Sequence, residues 1–293
     1  MNETEAQTAE SPVPTALGET RIGPATFAWG TRTFVMGIVN VTPDSFSGDG
    51  LLRGDAPATP AANAVALART MADEGADLLD VGGESTRPGH TAVDADEEIR
   101  RVVPVVTAIR TVLSSMPISI DTTKAAVAAA ALDAGADLVN DIWGVGEDDA
   151  VVRLAAERRV PIVLMHNREE PHYRDLMAEI ADDLERAIER ALRVGVAWTD
   201  ILVDPGFGFG KTAEHNLGVL RELGSLRRLG RPILLGASRK STLGKVLDLP
   251  ADERLEATIA TTVLGIAGGA DIVRVHDVRP NVRAARMTDA VLR

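Results

Sequence analysis

The segment of residues 204–212 has the composition of a ligand-binding loop at the end of a strand. It reads Asp-Pro-Gly-Phe-Gly-Phe-Gly-Lys-Thr and follows the apolar run of residues 201–203, which predicts a buried strand. Alternating glycines allow a backbone to approach a flat ligand, because no Cβ intervenes. Two phosphate-binding patterns fail on spacing: the first glycine of a P-loop would fall on Pro205, and the third glycine of a dinucleotide fingerprint would fall on Lys211. We therefore expect the carboxylate of Asp204 to be the functional group of this loop.

Polar side chains also follow the other short apolar runs of the chain. At the carboxyl ends of the parallel strands of a barrel, such residues would converge on a common mouth. A single polar residue at a strand end is ordinary, whereas a full set at equivalent positions predicts a binding site. The set comprises Asn40, Asp80, Asp121, Asn140, His166, Asp204, Lys240, Arg274 and His276.

The types of these residues indicate a flat, polar ligand. The acceptors and the cationic donors of the set are Asp121, Asn140, Asp204, Lys240 and Arg274. A heterocycle with adjacent N–H groups and ring nitrogens would satisfy them, and a carboxylate accepts paired N–H bonds strongly. Arg274 and His276 are two residues apart on one predicted strand, so both can face the mouth and bind an anionic group.

Three similar passages show that helices and strands alternate along the chain. Each contains Gly-Ala-Asp followed by two apolar residues, and each comes after an alanine-rich stretch that predicts a helix. The glycine suits the left-handed position just beyond a helix end, and the apolar pair suits the core of a buried strand. The three glycines are Gly75, Gly135 and Gly269.

Together with five similar units, this pattern predicts a single α/β domain of eight strands, each followed by a helix, over residues 21–293. The first strand is expected at residues 33–39. The spacing favours a (β/α)8 TIM barrel, and a doubly wound open sheet is the alternative. Residues 1–20 are acidic and lack an apolar segment, so we expect a disordered tail rather than a signal peptide.

The composition excludes several classes of function. The 293 residues contain no cysteine, so disulfides, thiolate metal sites and cysteine nucleophiles are excluded. The formal charge of −12 and the aromatic content of 3% argue against a nucleic-acid partner. No apolar run approaches a membrane span, which requires about 18 residues. We expect a cytoplasmic protein that acts on small molecules.

Long stretches of the chain resemble the dihydropteroate synthase family. The matching stretches follow the family's order and lie at residues 36–47, 80–89, 121–122, 140–141, 165–166, 204–212, 238–241 and 274–278. The resemblance implies a (β/α)8 barrel of folate biosynthesis that forms a homodimer through its late helices. It also implies a reaction in which the amine of 4-aminobenzoate attacks the CH₂ group of 6-hydroxymethyl-7,8-dihydropterin diphosphate, and diphosphate leaves.

The resemblance also implies a role for each matching site residue. The pterin would bind to Asp121, Asn140, Asp204, Lys240 and Arg274. The diphosphate would contact Asn40, Thr86, Arg274 and His276, with Mg²⁺ bound at Asn40. The aminobenzoate pocket, where sulfonamides would compete, would comprise Thr86, Arg87, Pro88, Phe209 and Ser241. The residues with an implied part in catalysis are Asp121, Asp204, Lys240, Arg274, Asp44 and Phe46, of which the last two would close the pocket.

One departure from the family pattern leaves alternatives open. The first loop of the family usually reads Ser-Asp-Gly-Gly, whereas residues 47–50 read Ser-Gly-Asp-Gly, so Asp49 is shifted by one place. A pterin-binding paralogue without synthase activity would fit that shift. The other alternative is a methyltransferase that moves a methyl group from methyltetrahydrofolate to a corrinoid. Such an enzyme would not need the stretches at residues 85–88, 238–240 and 274–276, and all three are present in this chain.

Overall fold

The computed structural model of the protein describes residues 17–41, 59–84 and 93–293. The strands are β1 (Glu19–Ile22), β2 (Ala25–Ala28), β3 (Phe34–Asn40), β4 (Leu78–Gly82), β5 (Ile118–Asp121), β6 (Leu138–Asp141), β7 (Ile162–Met165), β8 (Ile201–Asp204), β9 (Leu234–Leu235) and β10 (Ile272–Val275). The helices are α1 (Pro60–Asp73), α2 (Ala95–Val112), α3 (Ala125–Asp133), α4 (Ala150–Arg158), α5 (Leu176–Val194), α6 (Ala213–Glu222), α7 (Ser241–Leu247), α8 (Leu255–Ala267) and α9 (Val278–Leu292). Short 3-10 helices lie at Trp198–Asp200, Leu223–Leu229 and Ala251–Glu253.

Within the described ranges, none of the helices combines the length and the hydropathy that a membrane crossing needs.

The strands from β3 to β10 form a parallel barrel. Hydrogen-bonded neighbours follow the order β8-β7-β6-β5-β4-β3-β10-β9. A parallel bridge between Val203 in β8 and Ile233, just before β9, brings the two edges of this sheet together. The predicted (β/α)8 barrel is confirmed, and the doubly wound open sheet is excluded. The carboxyl ends of the strands therefore share one mouth.

A hairpin of β1 and β2 packs at the amino-terminal end of the barrel. The rings of Phe27 in β2 and Phe34 at the start of β3 lie 4.7 Å apart. Both belong to a buried apolar cluster that includes inward-facing barrel residues such as Met36 and Leu78. The hairpin thus extends the core of the barrel at the end opposite the mouth.

The hairpin corrects the predicted boundary of the tail. We expected residues 1–20 to lie outside the fold, but β1 already begins at Glu19. Thr20 is 1% exposed, and its Oγ1 accepts a hydrogen bond of 2.9 Å from Trp29 Nε1. Residues 1–16 lie outside the described ranges.

The three Gly-Ala-Asp passages end their helices as predicted. Their glycines are left-handed, with φ of 99° at Gly75, 110° at Gly135 and 102° at Gly269. The aspartate of each passage has a further role, because its carboxylate accepts the backbone N–H at the start of a neighbouring strand. The pairs are Asp77 with Val35 at 2.8 Å, Asp137 with Ile118 at 2.9 Å and Asp271 with Ile233 at 3.0 Å. These bonds align strands at the end of the barrel opposite the mouth.

Candidate active site

Arg274 lies at the centre of a group of polar side chains at the mouth. Its Nε donates to Asp80 Oδ2 at 2.5 Å, and its Nη2 donates to Asp121 Oδ2 at 2.6 Å. Asn140 Nδ2 donates to the same oxygen of Asp80 at 3.2 Å. These contacts join β4, β5, β6 and β10 across the barrel interior. Residues that are far apart in the sequence therefore form one hydrogen-bonded group.

Burial controls the protonation of this group. The side chain of Asp80 is 0% exposed and that of Arg274 is 17% exposed. Burial lowers the pKa of Arg274, but the carboxylates of Asp80 and Asp121 outweigh burial and leave that pKa raised. Burial raises the pKa of Asp121 to about 7, and the charge of Arg274 acts against this rise. Arg274 is therefore a permanent cation, whereas burial favours the neutral form of Asp121 relative to an exposed aspartate.

Asp204 presents a third carboxylate, which is buried at the end of β8. The residue is 6% exposed, and its Oδ1 accepts the backbone N–H of Gly206 at 2.6 Å. Burial raises the pKa of Asp204, and the charge of Lys240 opposes this rise. The carboxylate is held in one orientation beside a cation, which suits an acceptor of ligand N–H groups.

Lys240, which precedes α7, is attached to the loop of residues 204–212. Its Nζ donates to the carbonyl oxygen of Phe207. The same nitrogen lies 4.2 Å from the centre of the Phe209 ring, in a cation–π contact. Burial lowers the pKa of Lys240 to about 7, while the carboxylate of Asp204 acts to raise it. The position of the lysine therefore depends on the conformation of this loop.

The glycines of the loop allow it to pack closely against other parts of the protein. Gly206 has φ of 70°, and a Cβ there would lie 1.7 Å from the carbonyl oxygen of His166. Gly208 has φ of 87°, and a Cβ there would lie 2.6 Å from Lys240 Cδ. The sequence predicted that these glycines allow approach to a ligand, and the structure shows that Gly206 and Gly208 allow the loop to approach protein atoms.

The other predicted site residues within the described ranges also lie on the mouth side of the barrel. His276 follows β10, and its Nδ1 lies 3.0 Å from Ser238 Oγ. Asn40 ends β3 and is partly buried, whereas Ser241 begins α7 and is exposed. The residues predicted from the loops after the first two barrel strands lie outside the described ranges: Asp44, Phe46, Asp49, Thr86, Arg87 and Pro88.

Comparisons with known proteins identify the family. The profile of the pterin binding enzyme family matches residues 36–276. The dihydropteroate synthase of Clostridium beijerinckii is 51% identical over 274 residues, which cover 93% of this chain and 99% of that relative. The chain belongs to the dihydropteroate synthase family. The resemblance found in the sequence is thereby confirmed.

Two solved dihydropteroate synthases share the fold over nearly their whole length. The Clostridium difficile protein, solved in the presence of pteroic acid, has a TM-score of 0.85 and 51% identity, covering 90% of this chain and 98% of its own. The Xanthomonas albilineans protein, solved with 4-aminobenzoic acid, has a TM-score of 0.87 and 41% identity, covering 95% of this chain and 99% of its own. The family architecture therefore extends across almost all of this chain.

The structure adds residues that sequence reasoning did not include in the dihydropteroate synthase site. Asp80 was recognised only as a polar residue in the strand set, yet it binds both Arg274 and Asn140. A cavity of about 380 Å³ beside the loop of residues 204–212 is lined by Glu84, Thr123, Asp141, Ile142, Trp143, Asp148, Val151, Asn167 and Phe209. The sequence could have indicated Ile142 as a lining residue of this cavity. It follows Asn140 by two residues and is the first apolar residue beyond that strand.

Proposed function

We infer that this chain is a dihydropteroate synthase, which condenses 6-hydroxymethyl-7,8-dihydropterin diphosphate with 4-aminobenzoate and releases diphosphate. Family membership and the barrel support this activity. The observation that carries it is the largely buried group in which Arg274 joins Asp80 and Asp121 beside a third carboxylate, that of Asp204. Such a group offers acceptors for the N–H edge of a pterin and negative charge for a cationic transition state.

The pterin would lie against this group of side chains. Asp121 and Asp204 would accept N–H groups of the ring, and Lys240 would donate to a ring acceptor. Asn140 would use its amide for a paired contact. Because the N–H of Gly206 already fixes one oxygen of Asp204, the carboxylate is oriented before the ligand binds. Such preorganisation reduces the entropy that is lost on binding.

The proposed reaction replaces one bond of the pterin methylene carbon. The C–O bond to diphosphate breaks, a C–N bond to the arylamine forms, and the amine nitrogen loses a proton. Departure of the anionic leaving group places positive charge on the methylene and the conjugated pterin. The carboxylates of Asp121 and Asp204 would stabilise that charge electrostatically, so the chemistry requires no covalent nucleophile from the protein.

The diphosphate would bind at the ends of the adjacent strands β3 and β10. In this proposal Arg274 and His276 contact its oxygens, together with Asn40 and with Thr86, which lies outside the described residues. Asn40 would offer an amide oxygen to Mg²⁺, while substrate phosphates and waters would complete the coordination of the ion. When bound there, Mg²⁺ would neutralise part of the charge on the leaving group.

The aminobenzoate would bind next to the pterin, beside Phe209 and Ser241. Both residues adjoin Lys240, because the Phe209 ring lies over its ammonium group and Ser241 follows it in the chain. Sulfonamides would compete for this pocket, since they also present an arylamine. The proposal includes further residues outside the described ranges: Thr86, Arg87, Pro88, Asp44 and Phe46.

We also propose that the protein is a cytoplasmic homodimer built on α8 and α9. These helices are neighbours in the fold. Apolar side chains on both are exposed, with values of 56% for Leu264, 67% for Met287 and 70% for Val291. Exposed apolar side chains on adjacent helices support a subunit interface. Light scattering on the wild type and on a Leu264→Glu variant would test the dimer, and cell fractionation would test the location.

The decisive experiment is to measure diphosphate release by the purified protein with the dihydropterin diphosphate and Mg²⁺, with and without 4-aminobenzoate. Release that depends on 4-aminobenzoate, together with formation of dihydropteroate, is expected. A protein that binds pteroic acid tightly by calorimetry but releases no diphosphate would contradict the proposal. That outcome would favour the non-catalytic paralogue and direct attention to the segment around Asp49.

A further inference from the structure

A row of three hydrogen-bonded side chains, those of Asp183, His166 and Lys211, lies beneath the loop of residues 204–212. His166, directly after β7, is 0% exposed. Its Nε2 lies 3.1 Å from Asp183 Oδ2 on α5, and its Nδ1 lies 2.9 Å from Lys211 Nζ. The Oδ2 atom of Asp183 also accepts bonds of 2.8 and 3.2 Å from Arg168. The row connects a long surface helix to the inner side of the loop.

The chemistry of the partners fixes the tautomer of His166. An ammonium group can only donate, so Nδ1 must be the unprotonated acceptor for Lys211. The ring proton therefore sits on Nε2 and points to the carboxylate of Asp183. Burial, reinforced by the charge of Lys211, lowers the pKa of His166 to about 3, which agrees with a neutral ring. His166 is thus a neutral connector between an anion and a cation.

Lys211 uses its three N–H groups on three acceptors. Besides His166, they are the carbonyl oxygens of Gly206 and Phe209, each at 3.1 Å. The same two residues are joined by a turn, because Phe209 N donates to Gly206 O at 3.0 Å. Burial lowers the pKa of Lys211 to about 7, but the full set of acceptors favours the charged form. The ammonium group therefore holds both ends of the turn of residues 206–209 from below.

The opposite side of this turn carries the groups assigned to the substrates. The carbonyl oxygen of Phe207 accepts a hydrogen bond from Lys240, and the Phe209 ring covers the same ammonium group. The turn also packs against His166, the residue that follows β7, since a Cβ on Gly206 would lie 1.7 Å from its carbonyl oxygen. A shift of the turn would therefore move Lys240 and Phe209 together.

We propose that His166 and Lys211 are positioning residues of the condensation reaction. They hold the turn of residues 206–209 so that Lys240 meets the pterin while Phe209 borders the aminobenzoate. The inference rests on the proposed function for the identity of the two substrates. Neither His166 nor Lys211 needs to touch a substrate for this role, because each acts through the turn.

The test compares variants that remove one contact of the row at a time. Lys211→Met keeps the length of the side chain but removes all three donors. His166→Asn retains an amide oxygen near the place of Nδ1, where it can accept from Lys211. His166→Gln instead reaches the place of Nε2, where it can donate to Asp183, but it offers Lys211 no acceptor at the former Nδ1. The control is Tyr173→Phe, which removes a hydrogen bond of 2.8 Å to the carbonyl oxygen of Gly210 on the same loop.

The expected result is a rise in KM for both substrates in the variants that release Lys211. Lys211→Met and His166→Gln should lower kcat/KM by about 100-fold, the size of effect that an ångström of misplacement produces. His166→Asn should retain about tenfold more activity than His166→Gln, and Tyr173→Phe should stay within about threefold of the wild type. Melting temperatures are recorded for all variants, because partial unfolding lowers kcat per molecule without changing either KM.

Two outcomes would overturn the positioning role. One is unchanged KM values for both substrates in Lys211→Met, whatever its melting temperature. The other is equal activity of the Asn and Gln variants of His166. If the wild type itself shows no turnover, the proposed function fails, and calorimetry with pteroic acid then tests the positioning role separately. Weaker binding in Lys211→Met and His166→Gln than in His166→Asn would support it, and equal binding in all three would refute it.

Discussion

The substitution Asp204→Asn separates the binding role of this carboxylate from its role in the fold. The structure shows why the variant is suitable. Oδ1 of Asp204 accepts the N–H of Gly206 at 2.6 Å, and the amide oxygen of asparagine can keep that bond. The remaining position becomes an NH₂ group, which is a donor where a pterin presents its own donors. The loop should therefore stay in place while recognition of the pterin is lost.

The magnitude follows from the contacts that the amide cannot make. Two hydrogen bonds from pterin N–H groups to a carboxylate contribute roughly 1.5–3 kcal/mol each. Their loss amounts to about 3–6 kcal/mol, which corresponds to a decrease of about 10²- to 10⁴-fold in kcat/KM. The attraction between Asp204 and Lys240, which opposes the lowering of that lysine's pKa by burial, is lost as well. We therefore expect a decrease of more than about 100-fold in kcat/KM.

The assay is steady-state release of diphosphate at saturating 4-aminobenzoate, with melting temperature measured in parallel. Asp271→Asn is the matched control, because Asp271 is 2% exposed and accepts the backbone N–H of Ile233 at 3.0 Å, at the opposite end of the barrel. Its amide oxygen can keep that bond, so KM should not change, and its melting temperature shows the general effect of replacing a buried carboxylate. An Asp204→Asn enzyme with kcat/KM within about threefold of the wild type would refute the assignment of Asp204 to the pterin.

Three further predictions test the site and its support. The pH profile of kcat/KM should be bell-shaped with a maximum near pH 7. The reason is that Asp121 must be ionised and Lys240 protonated, and burial moves the pKa of each to about 7. A flat profile from about pH 6 to about pH 8 would contradict this. Asp121→Asn should lower kcat more than it weakens calorimetric binding of pteroic acid, because the positive charge that it stabilises develops only in the transition state. Gly206→Ala should destabilise the protein by at least about 3 kcal/mol in urea unfolding, since its Cβ would overlap the carbonyl of His166. The control Gly195→Ala, which has φ of 103° and open space around it, should cost only about 1–2 kcal/mol.

The barrel could be predicted because its signals are local in the sequence. A glycine that ends a helix and an apolar pair that begins a strand lie within a few residues of one another, as at Gly135 and Leu138. The hairpin of β1 and β2 was missed because its strands mix polar and apolar residues and are not separated by a helix, so they do not fit the repeating pattern. The Gly23-Pro24 pair between them is a turn signal that could have revealed it.

The contacts within the site could not be predicted to the same extent. Which side chains lie at the mouth follows from the strand ends, but which of them pair depends on the barrel's closure. Arg274 contacts Asp80 and Asp121, from which it is separated by 194 and 153 residues. The role of Lys211 likewise depends on His166 of the neighbouring strand. The sequence alone indicates no contact between Lys211 and His166, because the two residues are 45 positions apart.

The carboxylates at the mouth are arranged in a way that suits the proposed chemistry. Those of Asp80, Asp121 and Asp204 interact with Arg274 and Lys240, and Asp204 also interacts with Lys211 beneath the loop. In the proposed reaction, the carboxylates of Asp121 and Asp204 would stabilise a pterin that becomes cationic as diphosphate departs more than they stabilise a neutral one. The barrel maintains this arrangement because Arg274 and the N–H of Gly206 hold the carboxylates in place. In this proposal, the same side chains that recognise the ring would also lower the barrier to loss of diphosphate.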